Sequence, residues 1–490
     1  MGTLPITYSG DERCGERRGN GVHERGARLK IQNTREAGSR REESKALSYV
    51  YFVCAVAALG GLLFGFYTAV IAGAVTFLER NFSLTPLHLG VAVSSISFGC
   101  MVGAGIAGFM GDWVGPKRIL IASAFPFILS AMLCALAWNV VQFTVGRFVG
   151  GLAIGLSSPV SPVYIAEISP ARMRGRLVTL NQLAITLGML LAFVTDWGIS
   201  LIGAQGWKDA YSWRWMFASG ALPALLFLMG LMCVPESPRW LAKRGLLEEA
   251  EAVLARLFGR RPEREEFQEF KSTPVREEGS GWQLLLPPLR RPLIIGVVLM
   301  IFSQVSGLNV IVNYTPKLLL ELGFESESTA LLGMVITGMA LFLTTVIAMC
   351  VIDKIGRRVL LLFSAAGLTC CLVPLAIQSD IRVLPQLIML LIILCAIIFY
   401  ALGIGPVSWL VVSEIFPTHV RGRAAAICTV SLWATNFVAL LVFPSLHQVS
   451  PAGTFWLFVG TTVAGGIFVW HAVPETKDKT LEAIEQLWRR

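Results

Sequence analysis

The sequence predicts an all-α integral membrane protein in which twelve transmembrane helices form two pseudo-symmetric six-helix bundles. Three observations support this fold class. Of the 490 residues, 54% are hydrophobic and 15% charged, and the mean hydropathy is +0.65, which excludes an ordinary water-soluble globule. Twelve apolar stretches approach the ~20 residues that a helix needs to cross a bilayer. A set of short motifs also occurs twice, once in each half of the chain.

The twelve apolar stretches are the predicted transmembrane helices. In chain order they fall roughly at 48–76, 89–110, 118–138, 141–166, 177–200, 213–234, 292–313, 328–352, 358–378, 384–412, 424–445 and 453–473. The predicted organisation is a polar tail at 1–46, a first bundle at 47–234, a loop at 235–291, a second bundle at 292–473 and a tail at 474–490. Within the loop, residues 246–258 have the spacing of an amphipathic helix, which we expect against the inner membrane face.

Lysine and arginine are distributed unevenly among the loops. All but six of the 41 lie in the two tails or in the even-numbered loops. The exceptions are Arg80, Lys208, Arg214, Lys317 and Arg382 in odd-numbered loops and Arg147 inside a span. Because positively charged loops stay on the cytoplasmic side, both termini are predicted to be cytoplasmic. This bias explains the net charge of +9, so no nucleic-acid partner is expected.

The motif repetition divides the chain into two homologous halves. GDWVGPKR at 111–118 matches IDKIGRR at 352–358, EISPARMRGR at 167–176 matches EIFPTHVRGR at 414–423, and PESPRWL at 235–241 matches PETK at 474–477. Parallel repeats of this kind bind their substrate between the halves, near the middle of the bilayer. The site is therefore expected where the two bundles meet.

These motifs, together with GRFxxG at 146–151, QxSGxN at 304–309 and GPVSW at 405–409, resemble those of the sugar porter family of the major facilitator superfamily. That family includes the facilitative glucose transporters and the bacterial xylose-proton symporter. The resemblance covers about residues 48–485. It implies a carrier of a monosaccharide or related polyol that works by alternating access, with two bundles rocking about a central site. No covalent chemistry, enzyme activity, cofactor or metal is expected.

The resemblance also implies a set of sugar-binding residues. A sugar hydroxyl both donates and accepts hydrogen bonds, so amides and indoles held by apolar helices suit it, with an aromatic face against the ring. The alternative interpretation of a lone intramembrane amide is that it joins helices. The predicted binding residues are Gln182, Gln304, Asn309, Asn313, Trp409, Trp433, Asn436 and Phe64.

Four positions depart from the family pattern. Ser303, Leu341 and Leu432 stand where the family usually has amides, and Asn313 stands where it has a tyrosine. Losing three amides at about 0.5 to 1.5 kcal/mol per net hydrogen bond is comparable to the ~4 kcal/mol of a millimolar affinity. The sequence therefore predicts either an altered binding mode or a substrate other than glucose or xylose.

Tyr67 stands at the proton-coupling position of the first span. In proton-coupled relatives an aspartate there works with the fourth-span arginine, which is Arg147 in this chain. A tyrosine has an ordinary pKa of about 10 and cannot exchange a proton near pH 7. Facilitated diffusion is therefore favoured over symport. Symport would need another acid such as Asp196, which we expect near the outer mouth as a solvated acid, as we do the peripheral Glu79. A sugar sensor with little transport is a third interpretation.

The repeated charged motifs predict a gating network on the cytoplasmic side. We expect ion pairs that link the halves when the carrier is open outward and break as it opens inward. The alternative is that these charges only hold the loops inside. Pro116 replaces a basic residue of the family motif and predicts a weaker network in the first half. The network residues are Asp112, Lys117, Arg118, Glu167, Arg174, Glu236, Arg239, Asp353, Arg357, Arg358, Glu414, Arg421 and Glu475.

The expected partners are a small sugar or polyol and the lipid bilayer. The expected location is the plasma membrane, and the expected state is a monomer. The sequon at Asn81 lies close to the first span and is not expected to be glycosylated.

Overall fold

The computed structural model describes the backbone of residues 16–259 and 289–477, except 171–172, 322, 325, 382–383 and 418–419. Side chains are described from residue 45 onward, except at 109, 111, 112, 353, 380 and 421. This part of the chain is helical, and twelve of its helical segments are long and apolar enough to cross a membrane. The prediction of twelve spans is confirmed. The side predicted to be cytoplasmic is called the inner side below, and the opposite side the outer side.

The first half contains spans 1 to 6. The first helix begins at Glu16, within the segment predicted to be a polar tail, and Lys45–Asn81 is its membrane part. Spans 2 to 5 are Pro86–Val114, Pro116–Ala135, Val140–Ile168 and Arg174–Ser200. Span 6 is assembled from Gln205–Trp207, a π-helical turn at Lys208–Ser212, Trp213–Ser219 and Ala221–Cys233.

The second half contains spans 7 to 12. Span 7 consists of Arg290–Val305 and Leu308–Glu321, and span 10 of Gln386–Leu402 and Ile404–Ile415. Spans 8, 9, 11 and 12 are Glu327–Ile355, Arg357–Ile381, Arg421–Val449 and Pro451–Ala472. Two short helices, Pro238–Lys243 and Leu247–Phe258, follow span 6. The second of these is the amphipathic helix expected from the sequence; residues 260–288 of the loop lie outside the described part of the chain.

Small residues allow the spans of the two halves to approach closely. A Cβ atom added at Gly90 of span 2 would lie 2.2 Å from the carbonyl oxygen of Leu441 in span 11. One added at Gly338 of span 8 would lie 2.6 Å from the ring of Phe193 in span 5. Close backbone approach is how membrane helices gain packing energy without a hydrophobic driving force between them. The halves therefore meet along spans 2 and 11 and spans 5 and 8.

Candidate functional site

The amides predicted to bind substrate lie at an interruption of span 7. The helix stops at Val305 and resumes at Leu308, and Gly307 between them has a φ of +81°. Only glycine adopts this conformation at low cost, and a Cβ here would lie 2.4 Å from the ring of Phe458. Ser306 and Gly307 therefore interrupt the helix in the middle of the span. Gln304 and Asn309 flank the interruption on its two sides.

Three amides form one hydrogen-bonded cluster. The Oε1 atom of Gln304 accepts from Nδ2 of Asn309 at 2.6 Å and from Nδ2 of Asn436 at 2.7 Å. Gln304 is 4% exposed and Asn436 6% exposed. Ser97 of span 2 donates to Oδ1 of Asn436 at 2.6 Å, which carries the cluster across to the first half. Ser97 was not predicted from the sequence, because a serine in an apolar span has no distinguishing pattern.

Aromatic rings lie beside the amide cluster. Phe64 of span 1 packs on Trp433 of span 11, with ring centroids 5.6 Å apart. The indole Nε1 of Trp433 is buried without a hydrogen-bond partner among the described residues, so a donor is free there. Tyr400, also missed by the sequence analysis, donates from its hydroxyl to the Ser303 carbonyl at 3.3 Å. These contacts place an aromatic pair and an unused donor at the meeting point of the halves.

Three predicted binding residues do not form hydrogen bonds with the side chains of the cluster. Gln182 is half-buried in span 5, and its amide has no hydrogen-bond partner among the described residues. Asn313 donates to the Asn309 carbonyl of its own helix at 2.7 Å. Trp409 is 40% exposed. Gln182 therefore has its full hydrogen-bonding capacity available, whereas the amide nitrogen of Asn313 is already engaged with the backbone.

Ser303 partly compensates for the glutamine that the family pattern has at its position. Its Oγ accepts from Nε2 of Gln304 at 3.0 Å and donates to the Met300 carbonyl at 2.7 Å. The hydroxyl therefore holds the Gln304 amide in one orientation. Leu341 is half-buried and Leu432 is 4% exposed, and neither side chain can form a hydrogen bond.

Tyr67 is bound to the first bundle through its hydroxyl group. The hydroxyl donates to the carbonyl of Phe127 in span 3 at 2.6 Å, and the Gly220 carbonyl in span 6 lies 3.3 Å away. Arg147, 1% exposed, donates from NH1 to the Tyr67 backbone carbonyl at 2.5 Å. Its Nε and NH2 atoms have no hydrogen-bond partner among the described residues, and its guanidinium lies 5.6 Å from the Phe217 ring centroid. The described hydrogen bond of Arg147 is thus to the Tyr67 backbone and not to its hydroxyl group.

Asp196 is not in the environment expected from the sequence. The prediction of a solvated acid was wrong, since the residue is fully buried and neither carboxyl oxygen has a hydrogen-bond partner among the described residues. It packs against span 1, where a Cβ at Gly73 would lie 2.3 Å from its Oδ2 atom. The error arose because distance along span 5 was used to place Asp196, while its burial depends on the neighbouring span.

The charged motifs of the inner side form the same arrangement in both halves. In the first half, Ser237 donates to Glu167 at 2.5 Å, and Glu236 accepts from the Lys117 backbone N–H at 3.0 Å. In the second half, Thr476 donates to Glu414 at 2.5 Å. Glu475 accepts from the backbone N–H groups of Arg357 and Arg358 at 2.9 and 3.1 Å, and Arg357 pairs with Glu414 at 3.0 Å. The repeated motifs of the sequence thus form corresponding contacts in the two halves.

Each of these described inner contacts lies within one half. Arg174 donates to the Ala166 carbonyl, Arg118 lies over Trp240, and Arg239 is an electrostatic neighbour of Glu167. The side chains of Asp112, Asp353 and Arg421 lie outside the described part of the chain. The expected links between halves belong to the outward-open state and stay a prediction.

The two glutamates at the helix N-termini differ in their pKa values. Burial raises the pKa of Glu236, and hydrogen bonds from Ser237 and Lys117 only partly oppose it. Burial also acts to raise the pKa of Glu475, but hydrogen bonds from the backbone of Lys477, Arg357 and Arg358 outweigh it and hold this pKa below its ordinary value. Negative charge at a helix N-terminus is favourable, and the ionised form of Glu475 stabilises the fold, whereas at Glu236 burial outweighs this favourable interaction.

On the outer side, ion pairs join the two halves. Glu79 of span 1 pairs with Lys317 of span 7 at 2.8 Å, and Arg80 pairs with Glu327 of span 8 at 2.5 Å. A partner of Glu79 in the other half was not predicted from the sequence, where Glu79 is peripheral. Because these ion pairs hold the outer ends of the two halves together, the structure is closed on the outer side.

Comparisons with known proteins agree with this architecture. A family model described as "Sugar (and other) transporter" matches residues 53–488. The chain is 37% identical over 447 residues to the arabinose-proton symporter of Bacillus subtilis (strain 168), covering 91% of this chain and 96% of that protein. It is 36% identical over 474 residues to the D-xylose-proton symporter of Escherichia coli (strain K12), covering 90% and 96%.

A solved structure shows the same fold. The inward-open conformation of the xylose transporter XylE from E. coli superposes with a TM-score of 0.80 at 34% sequence identity, covering 90% of this chain and 100% of that one. The predicted fold class, two six-helix bundles of the major facilitator type, is confirmed. The similarity to an inward-open state is consistent with the closed outer side.

Proposed function

The chain belongs to the sugar transporter family of the major facilitator superfamily, and from this premise we propose that it moves a monosaccharide or related polyol by facilitated diffusion. It is a multi-pass membrane transporter and not an enzyme. The proposal includes alternating access about a site between the bundles, a monomeric carrier in the plasma membrane and cytoplasmic termini.

The amide cluster is the observation that carries the proposal. Gln304, Asn309 and Asn436 share hydrogen bonds at the boundary of the halves, where Phe64 and Trp433 supply aromatic surface. A sugar entering there finds the free Nε1 donor of Trp433. Contacts made to both halves at once change when the bundles rock, which is the differential binding that alternating access requires.

The facilitative mode is supported by the environment of Tyr67. Its hydroxyl proton is engaged with the carbonyl of Phe127, and Arg147 binds its backbone instead of an acidic side chain. The relatives named arabinose-proton and D-xylose-proton symporters are coupled to protons, so the alternative of symport through another acid has to be tested directly.

Counterflow in liposomes tests the proposal. Purified full-length protein should exchange labelled arabinose, xylose, glucose or myo-inositol against the same unlabelled sugar, at equal rates with and without a pH gradient. Uphill accumulation that a protonophore collapses would refute facilitated diffusion. Thermal stabilisation by a sugar without any flux would instead identify a sensor. Liposomes carrying the Gln304→Ala variant serve as the control for leakage.

A further inference from the structure

Asp196 is a buried carboxyl group that the proposed sugar site does not use. It is 0% exposed, and neither oxygen has a hydrogen-bond partner among the described residues. The Gly73 backbone lies against it, but the Gly73 N–H is directed along its own helix. An unpaired carboxylate is very costly to bury in a membrane protein, so in this outer-closed state the group holds its proton.

No charged neighbour compensates for this burial. Lys45, Glu167 and Lys354 lie at the inner ends of spans 1, 4 and 8, away from Asp196. Toward the outer side these spans carry Arg147, Glu79, Arg80 and Glu327, and the beginning of span 6 carries Lys208, Asp209 and Arg214. Among the described residues, no charged group acts on the Asp196 carboxyl group, and the Gly73 backbone is the group beside it. Whether the Asp196 carboxyl group is ionised therefore depends on whether water reaches it.

Opening of the outer side would bring water to Asp196. A cavity of about 280 Å³ lies between the outer ends of the halves and is lined by Ser200, Arg80, Lys208 and Glu327. Ser200 is four residues beyond Asp196, on the same helix face and about 6 Å further out by helical rise. Arg80 is likewise two turns beyond Gly73 on the face of span 1 that meets Asp196. Opening of the outer ion pairs would extend this cavity inward to the carboxyl group.

The route from Asp196 to the inner side is filled. Phe193, one turn inward, is 1% exposed and packs on Gly338 of the opposite half. Ala192, next to it, is fully buried. Gln182 lies fourteen residues inward, which is about 21 Å along the helix. Asp196 thus lies on the outer side of the binding region, with packed side chains between it and the inner medium.

We propose that Asp196 is a proton-binding group that exchanges only with the outer medium, so that external acid favours the outer-closed state without carrying protons across the membrane. This inference rests on the alternating-access carrier proposed above and adds regulation by external pH. The proton is taken from outside when the outer side closes and is returned to outside when it opens. Facilitated diffusion is preserved because no proton is delivered to the inside.

The sign of the effect follows from the number of bound protons. The outer-closed state holds one proton on Asp196, while in the open state a hydrated aspartate is ionised above about pH 4. Each unit fall in external pH therefore shifts the equilibrium toward the closed state by up to tenfold, and internal pH has no effect. Below about pH 4 both states hold the proton and the dependence ends.

Thiol labelling from the outside tests this inference. Ser200→Cys is shielded in the closed state, because Ser200 is 1% exposed, and should react with a membrane-impermeant maleimide only after opening. Gln205→Cys, in the same cavity but exposed, corrects for the pH dependence of thiol chemistry. In vesicles of full-length protein, the labelling rate of Ser200→Cys divided by that of Gln205→Cys should fall as external pH is lowered from 7.5 to 5.5.

Substitution of the carboxyl group completes the test. Asp196→Asn keeps the shape of the protonated side chain and should remove the pH dependence, whereas Asp209→Asn, which removes a partly exposed outer acid, should keep it. Gly73→Ala, which crowds the carboxyl group, should raise Ser200→Cys labelling at every pH. Persistence of the dependence in Asp196→Asn, or a response to internal pH, would overturn the inference.

Transport distinguishes this inference from the proposed function. Proton-driven accumulation that is lost in Asp196→Asn would show that Asp196 carries protons across, which overturns exclusive exchange with the outside. The expected labelling pattern without any sugar exchange would remove the proposed transport function but support Asp196 as an external pH sensor.

Discussion

The NH1 group of Arg147 lies 2.5 Å from the backbone carbonyl oxygen of Tyr67, and this is its described hydrogen bond. The guanidinium is buried, with two nitrogens unpaired among the described residues. Such a group is costly to bury inside a bundle, and a buried charge of this kind marks a functional position in a membrane protein.

Tyr67→Asp should introduce pH-dependent transport near neutrality. The new carboxylate would lie beside Arg147, whose Nε and NH2 atoms are available to bind it. Tyr67→Asn has a similar size but cannot ionise and is the matched control. The measurement is the rate of sugar counterflow between pH 5.5 and 8. An identical pH profile for the two variants would show that Arg147 does not reach the new side chain.

Gln182→Ala and Gln304→Ala should separate binding from stability. Gln182 has no hydrogen-bond partner among the described residues, so its removal should abolish sugar binding and leave the melting temperature unchanged. Gln304 accepts from Asn309 and Asn436, so Gln304→Ala should lose binding and also about 1 to 3 kcal/mol from unpaired buried amides. Calorimetric titration and thermal unfolding measure the two effects. Unchanged affinity in Gln182→Ala would remove this residue from the site.

Reversing one charge of the outer pair should open the outer side. Lys317→Glu places a second negative charge opposite Glu79, so the two side chains repel each other. The double exchange Glu79→Lys with Lys317→Glu restores the attraction. A partly exposed pair is worth about 0 to 1 kcal/mol, so the single variant should shift the conformational equilibrium several-fold. Labelling of Ser200→Cys from the outside reports the shift. Equal labelling of the single and double variants would show that the pair does not hold the halves together.

Glu475→Gln should lower the melting temperature at pH 7 and Glu236→Gln should raise it, and both differences from wild type should shrink in acid. The lowered pKa of Glu475 means that its stabilisation is present above its ordinary value of 4.5 and is lost as pH falls through the lowered pKa. Glu475→Gln should therefore melt below wild type at pH 7, with a difference that shrinks in acid. The raised pKa of Glu236 means that its ionisation destabilises the fold above that pKa, and that this cost disappears as pH falls from the raised pKa to the ordinary value of 4.5. The gain in melting temperature of Glu236→Gln over wild type should therefore be largest at pH 7. If the melting temperatures of both variants followed pH in parallel with wild type, these expectations would be contradicted.

The amide cluster shows how far the sequence could predict the site. Gln304 and Asn309 belong to the QxSGxN motif of one span, and the resemblance to the sugar porter family identified them as candidate binding residues. Ser97 could not be foreseen, because its partner Asn436 lies 339 residues away and only helix packing brings them together. The same holds for Lys317 and Glu79, which are 238 residues apart.

The sequence by itself determined the twelve spans, the duplicated halves and the amides of span 7. The spans and the halves follow from hydrophobic length and from repetition along the chain, and the choice of the amides follows from the resemblance of their motif to that of the family. Only the tertiary structure decided that Asp196 is buried against Gly73 and that Tyr67 is bonded to the Phe127 carbonyl. The physical reason is that burial and hydrogen bonding of a membrane helix depend on which face meets which neighbouring helix, and this is set by the packing of all twelve spans.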